Sequence, residues 1–415
     1  MQFVNKNLMA LTDAARYAII KSIERNRRNR EVIFVKILFK GGNLLCPDGT
    51  LSAPTDALVD GDRIAAIGEG CVAYNADQTL DLSGKLLLPG LVDAHTHGRA
   101  GFDFQTATAA QMQTMREAYA QTGVTSLFPT LASGTVEEWL TAIENIEACG
   151  FDGIHLEGRY LNAAKRGAHP TQFLAPLNAA ELDAILDRVH IPCHVSAAWE
   201  LDTDGSFAAT AKRHGATMGL AHTMATADEA RLAIERGVTS FTHLFNAMPP
   251  LHHREGGAVC VALCGGAFGE LIADGLHICP DMIALAWRCL GPDRTVLVTD
   301  SMQGTGCADG EYTIAGQPVL LKNGRAVTLD GALAGSTLNL WDGVKNLMRF
   351  AGATLGEAVS CASRNPAHML GIDDIVGTVE VGKRADLLIV DPTNLQIEAV
   401  LCRGAWLQEM KGETV

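Results

Sequence analysis

Two rhythms of apolar and polar positions run along the chain. From Val32 to about Leu88, strand-length apolar runs are cut by Gly, Asp and Pro: VIFVKILFKGG, then PDGTLS, then DALVDGDRIAAIGEG. That punctuation predicts short strands joined by tight turns. The chain closes in the same manner, with GTVEVGKRADLLIVDP and an alternating run from Leu395 to Leu407. Two β segments flanking one large middle region predict a small β-sandwich domain built from both chain ends, residues 32–88 and 376–415. The segment from Gly310 to Gly331 has the same character and is a candidate source of further strands for it.

The middle, residues 89–375, alternates differently. Eight short apolar runs, each ending near a polar or charged residue, are separated by helical patterns: KLLLPGLVDAHTH, TSLFPT, GIHLEG, PCHVSAA, TMGLAHT, SFTHLF, ELIADG and TVLVTD. Continuous apolar runs suit parallel strands buried on both faces. Repeated strand–helix units of that number predict an α/β fold, a (β/α)8 TIM-like barrel, whose chemistry sits at the strand C-terminal ends. The longest apolar stretch, Ala258 to Ala273, is interrupted by glycines and Glu270 and reads as a buried barrel segment rather than a membrane span.

Composition narrows the picture. With 415 residues and 47% hydrophobic positions, the chain can bury a large core. A formal charge of −14 argues against a nucleic-acid partner, because phosphate contacts need a basic surface. Neither a signal peptide nor a membrane-length apolar run is apparent, and the eleven cysteines show no C-x-x-C spacing, so a cytoplasmic protein without membrane association is expected. Residues 1–31 depart from the acidic balance, with Arg16, Lys21, Arg25, Arg27, Arg28 and Arg30 beside apolar positions at helical spacing. They read as a basic extension, with a partner helix or membrane-surface helix as the alternative.

The ends of the eight runs carry the candidate chemistry. His95 and His97 follow the first run, and residues two apart in an extended chain point to one face. Alone, such a pair is as often ordinary strand-end histidines. Glu157 ends IHLEG, where a carboxylate is costly unless paired or metal-bound. His222 and His243 end two further runs. Imidazoles and a carboxylate without thiolate suit one or two divalent metal ions, zinc first, with iron, manganese or cobalt as alternatives. Asp300 ends the last run. It can ligate metal, or take a proton from an attacking water and deliver it to a leaving group, or merely cap the following helix.

The segments HLEGRYLNAAKRGAHP, THLFNAMPPLHHRE, IADGLHICP, VTDSMQGTG and LAGSTLNLWDGVKNLM resemble motifs of the amidohydrolase superfamily, and more narrowly of the N-acetylglucosamine-6-phosphate deacetylase family. The likeness runs from about Lys40 to Val390, and THLFNAM followed by HHRE is its specific part. It implies that Glu157, His222 and His243 hold the main metal, that His95 and His97 complete a second position, and that Asp300 is general base and then acid. It further implies that His169 and His277 meet sugar hydroxyls or polarise the amide carbonyl. Asn246, the Ala247 backbone and Arg254 would then bind phosphate, Arg254 reaching across from the neighbouring subunit of a homodimer. The expected substrate is an N-acetylated amino sugar 6-phosphate. Another N-acyl compound or a cyclic amide is the alternative, and a non-catalytic scaffold a more distant one.

The chain also departs from that pattern. Arg159 stands where proline is usual, Trp199 interrupts a usual Ala-Pro-Glu, Arg99 replaces a common glycine, and Gly256 replaces a proline. Arginines 99 and 159 could recruit a more anionic ligand or pair with nearby acids such as Asp103; Trp199 could stack on a sugar or fill space.

Overall fold

The computed structural model describes residues 35–329 and 331–408. The basic segment 1–31 lies outside them. All eight predicted barrel strands form, at Leu91–Thr96, Val124–Leu131, Ile154–Glu157, Cys193–Ala197, Thr217–Leu220, Ser240–Phe241, Phe268–Leu271 and Thr295–Leu297. They pair in parallel in chain order. The first and last strands share no regular ladder, and the barrel closes just beyond them. Asp300 N donates to His95 O at 2.8 Å, His97 N donates to Ser301 O at 2.8 Å, and Thr96 and Ser301 form a parallel bridge. Beneath this seam, Tyr119 Oη and Ser301 Oγ are 2.7 Å apart, and both bond to the Thr96 hydroxyl.

The helices between strands start where local chemistry dictates. Thr108, Thr135, Thr226 and Thr354 each cap a helix and exchange bonds with Gln111, Glu138, Glu229 and Glu357 three residues on. Each such box satisfies backbone donors at the helix start and contributes about 1 kcal/mol. The helices lay Trp139, Ile143, Leu182, Phe207 and Ile283 against the outer faces of the strands, in one large apolar cluster.

Strands from both chain ends join as expected, but as one continuous sheet rather than two facing ones. Ile37–Leu45, Leu51–Asp60, Arg63–Ile67, Gln78–Asp81 and Leu86–Pro89 connect to Leu387–Asp391, Gln396–Cys402 and Ala405–Gln408. The sheet curls onto itself. Its far strand returns to the segment entering Leu387–Asp391, where Ile64 N donates to Lys383 O and Gly382 N to Ile64 O. Ile37, Phe39, Val59, Ile64, Leu387 and Ile389 fill the enclosed core.

The 310–331 segment does not add to that domain. Gly310–Ile314, Gln317–Lys322 and Arg325–Thr328 form a separate antiparallel sheet around Met302, Ile314, Val319 and Leu321. Its Ile314 borders the cavity at the C-terminal mouth of the barrel. The apolar stretch 258–273 divides into a helix, Gly257–Cys264, and the seventh barrel strand.

Candidate metal centre

His95, His97, Glu157, His222, His243 and Asp300 converge at the barrel mouth and are all buried. Glu157 sits between two pairs of imidazoles. Its Oε1 lies 3.2 Å from His222 Nε2 and 3.0 Å from His243 Nε2. Its Oε2 lies 3.3 Å from His95 Nε2 and 3.1 Å from His97 Nε2. Asp300 Oδ1 faces the second pair, 3.2 Å from His97 Nε2. Two triads result: Glu157 with His95 and His97, and Glu157 with His222 and His243.

The donor chemistry fits divalent cations. Bonds of about 2.0–2.2 Å at tetrahedral angles hold ligand atoms roughly 3.3–3.6 Å apart, close to the spacings here. His222 and His243 bring two ring nitrogens within 3.1 Å of each other, as do His95 and His97 at 3.3 Å. Two nitrogens that close need a shared proton or a common cation between them. His222 has Nε2 free to ligate, because its Nδ1–H donates to the Lys165 carbonyl at 2.7 Å. The charge balance points the same way. Burial would lower the His97 pKa, yet its bonds with Asp300 and Glu157 outweigh that and push it up to about 9. The carboxylates demand positive charge at this spot.

Backbone geometry is unusual at the candidate ligands. His222, His243 and Asp300 have φ of 44°, 33° and 47°, and Phe245 and Ala247 follow at 77° and 52°. Left-handed backbone is uncommon for residues with a side chain and concentrates at functional sites.

A cavity of about 230 Å³ opens above the triads, bordered by His169, Asn246, Ala247, His277, Asp300, Ile314 and Leu333 among others. His169 is held by Ser133, whose backbone N–H donates to Nδ1 at 3.3 Å, so the ring hydrogen sits on Nε2 and faces the cavity. Burial, reinforced by neighbouring histidines, drops its pKa to about 3, and it is neutral at physiological pH. His277 is the opposite case. Burial alone would lower its pKa, but Asp274 Oδ2, 2.7 Å from Nδ1, raises it.

Sequence similarity agrees with this geometry. Residues 86–407 match the Amidohydrolase family. The chain belongs to that family. Among amidohydrolases it is 35% identical over 331 residues to an N-acetylglucosamine-6-phosphate deacetylase of Vibrio furnissii, spanning 77% of this chain and 82% of that one. It is 34% identical over 380 residues to an N-acetylgalactosamine-6-phosphate deacetylase of Escherichia coli O157:H7, spanning 88% of this chain and 98% of that one. A solved structure of the N-acetyl-D-glucosamine-6-phosphate deacetylase D267A mutant from Mycobacterium smegmatis, in complex with N-acetyl-D-glucosamine-6-phosphate, superposes with a TM-score of 0.83 at 30% identity. The match covers 90% of this chain and all of that one.

Not every residue singled out in the sequence borders this cavity. Arg254 is exposed, bonded to His253, and does not border its own chain's cavity. Arg99 and Arg159 do not border that cavity either. Arg99 is buried over the Tyr119 ring and donates to Asn339 Oδ1 at 2.6 Å, while Arg159 pairs with Glu181 at 3.0 Å and not with Asp103. Trp199 is packed inside, its Nε1–H on the Gly219 carbonyl at 2.7 Å. It fills space. Conversely, Ser133, the Lys165 carbonyl and Leu333 gave no sequence signal, because each acts through tertiary proximity alone.

Proposed function

We propose that this amidohydrolase removes the N-acetyl group of an amino sugar 6-phosphate, N-acetylglucosamine 6-phosphate or a close epimer, releasing acetate and the free amine. The observation carrying this reading is the Glu157 carboxylate shared between two imidazole pairs, with Asp300 facing the same open cavity. Likeness to deacetylases of two epimeric sugar phosphates supports the substrate class.

Glu157, His222 and His243 would hold the main ion and His95 with His97 a second, zinc first, with iron, manganese or cobalt as alternatives. Bound there, a divalent ion supplies Lewis-acid polarisation of the amide carbonyl and a lower pKa for the attacking water. Asp300 is the proton carrier. Burial would raise its pKa, but positive charge on the His95–His97 side lowers it, and a divalent ion held there would keep it ionised and able to accept in the same way. It takes the water's proton as the new C–O bond forms, then gives it to the nitrogen as the C–N bond breaks. Neutral His169, with its hydrogen on Nε2, donates to the developing oxyanion or to a sugar hydroxyl. His277 meets the sugar, its orientation locked by Asp274.

Asn246, the Ala247 backbone and Arg254 form the phosphate end of this reading. Arg254 lies outside its own chain's cavity, which accords with its serving the neighbouring subunit of a homodimer. No described helix is long and apolar enough to cross a membrane. A cytoplasmic setting accords with cysteines lacking disulfide-framework spacing.

The test is acetate release across N-acyl hexosamines with and without the 6-phosphate. Rapid release from N-acetylated 6-phosphates alone is expected. Equal release from unphosphorylated sugars would remove the phosphate from the assignment, and no release with any metal would leave the scaffold reading.

A further inference from the structure

The barrel interior beneath the metal centre is polar where such interiors are usually filled by branched aliphatic side chains. His155, His194, Ser196, Ser240, Thr242 and Glu270 all lie there, each fully buried or nearly so. Short bonds tie most of them together: Ser196 Oγ is 2.7 Å from both His155 Nε2 and Thr242 Oγ1. Room for the network depends on Gly219, where a Cβ would fall 2.4 Å from Thr242 Oγ1 and 2.8 Å from His194 Nε2.

Glu270 is the charged member, and its two oxygens are used differently. Oε1 accepts from Ser240 Oγ at 2.9 Å and faces His194 Nε2 at 3.7 Å. Oε2 has no hydrogen-bond partner, and it faces His95 Nδ1 at 3.8 Å, itself also without one. An unsatisfied carboxylate oxygen and an unsatisfied ring nitrogen, both buried, therefore look at each other. Closing the gap to hydrogen-bond length needs a shift of under about 1 Å. A metal-ligating histidine ordinarily donates its other ring N–H to a carboxylate or carbonyl, as His222 does to Lys165. His95 is supplied with a carboxylate for that purpose.

We propose that Glu270 is a positioning residue for the second metal position, its Oε2 holding the Nδ1–H tautomer of His95 so that Nε2 is the ligating nitrogen. This rests on the reading of His95 and His97 as that position. Glu270 touches no reacting atom in this scheme; it acts through His95, and Ser240 acts through Glu270.

The experiment is zinc binding to the full chain, by metal analysis and chelator competition, for wild type, Glu270→Gln, Ser240→Ala and His95→Gln. Wild type should bind two zinc ions. Glu270→Gln should weaken one of them about 10- to 100-fold and leave the other unchanged, mimicking His95→Gln in kind, with Ser240→Ala intermediate. Two zinc ions held by Glu270→Gln at wild-type affinity overturns the inference and leaves the two-metal reading standing. Equal weakening of both ions also overturns it, since a general packing defect acts that way. A wild type holding a single zinc overturns the two-metal reading and this inference with it. If Glu270→Gln fails to fold, Ser240→Ala decides by the same criteria.

Discussion

His243 Nε2 lies 3.0 Å from Glu157 Oε1, although Glu157 ends one barrel strand, His243 lies just beyond another, and the two stand 86 positions apart in the chain. A neutral imidazole and a carboxylate in full burial are stable together only with a proton or a cation to share. Because Glu157 also reaches His95 and His97 through its other oxygen, its loss should empty both metal positions together. Glu157→Gln is expected to lose bound metal and activity jointly, and elemental analysis beside an acetate-release assay checks it. Full metal content in that variant would refute its central place.

Asp300 separates proton transfer from metal binding. Asp300→Asn should lower kcat by about 10²- to 10⁴-fold, the usual range for a general acid–base group. The ion held by Glu157, His222 and His243 should stay, because Asp300 faces the His95–His97 side. A variant losing all its metal would make Asp300 a ligand first.

Metal uptake at the His95–His97 position should compete with protons. In the metal-free protein His97 has its pKa pushed up to about 9, and His95 is raised as well. To ligate, each must give up its proton, so affinity rises with pH until both imidazoles are neutral and then levels. The slope is roughly tenfold per pH unit for each proton released. Zinc titrations from mildly acidic to alkaline pH would reveal it; a flat profile counts against the assignment.

Arg254 can be tested within a mixture. Arg254→Ala should raise KM for the phosphorylated substrate by about 10- to 150-fold, corresponding to about 1.5–3 kcal/mol for a hydrogen bond to a charged group. Co-refolding it with Asp300→Asn should restore activity if the arginine serves the neighbouring subunit, since one hybrid site then has both groups intact. Failure to complement, with each variant dimeric, would place Arg254 in its own chain's site.

One ion-pair cluster ties the β-domain to the barrel. Buried Arg384 donates to Asp386 Oδ2 at 2.7 Å and to Ser126 Oγ at 2.6 Å, and it also pairs with Asp152, which Arg403 reaches at 2.8 Å. Arg384→Ala strands Asp386 in the interior and should destabilise the protein by about 3–5 kcal/mol. Chemical denaturation would measure it. A loss under about 1 kcal/mol would class the cluster with surface pairs.

Much of this was legible from position alone. Apolar runs ending in histidine or a carboxylate placed Glu157, His222, His243 and Asp300 at strand ends before any coordinates, since burial on both faces leaves only the strand terminus for chemistry. Glu270 carried the same mark, a carboxylate inside an apolar run, yet it read only as an interruption. One residue of strand register separates pointing into the barrel from packing outward, and periodicity alone does not fix that register. The strands of 310–331 were equally plain as strands, but their partner was not: a hairpin pattern specifies its own turns and not the surface on which it rests.

By itself, then, the sequence determined which residue types stand at the strand ends and the alternation that makes strands and helices. These are local properties, set by side-chain burial and by bonds within a few residues. Tertiary structure alone decided that Glu157 divides its oxygens between two imidazole pairs, that Arg99, Arg159 and Trp199 bond within the protein and do not border the cavity, and that Arg254 lies outside its own cavity. Those outcomes depend on ångström-scale distances between residues far apart in the chain, which barrel closure and left-handed turns at the candidate ligands fix together.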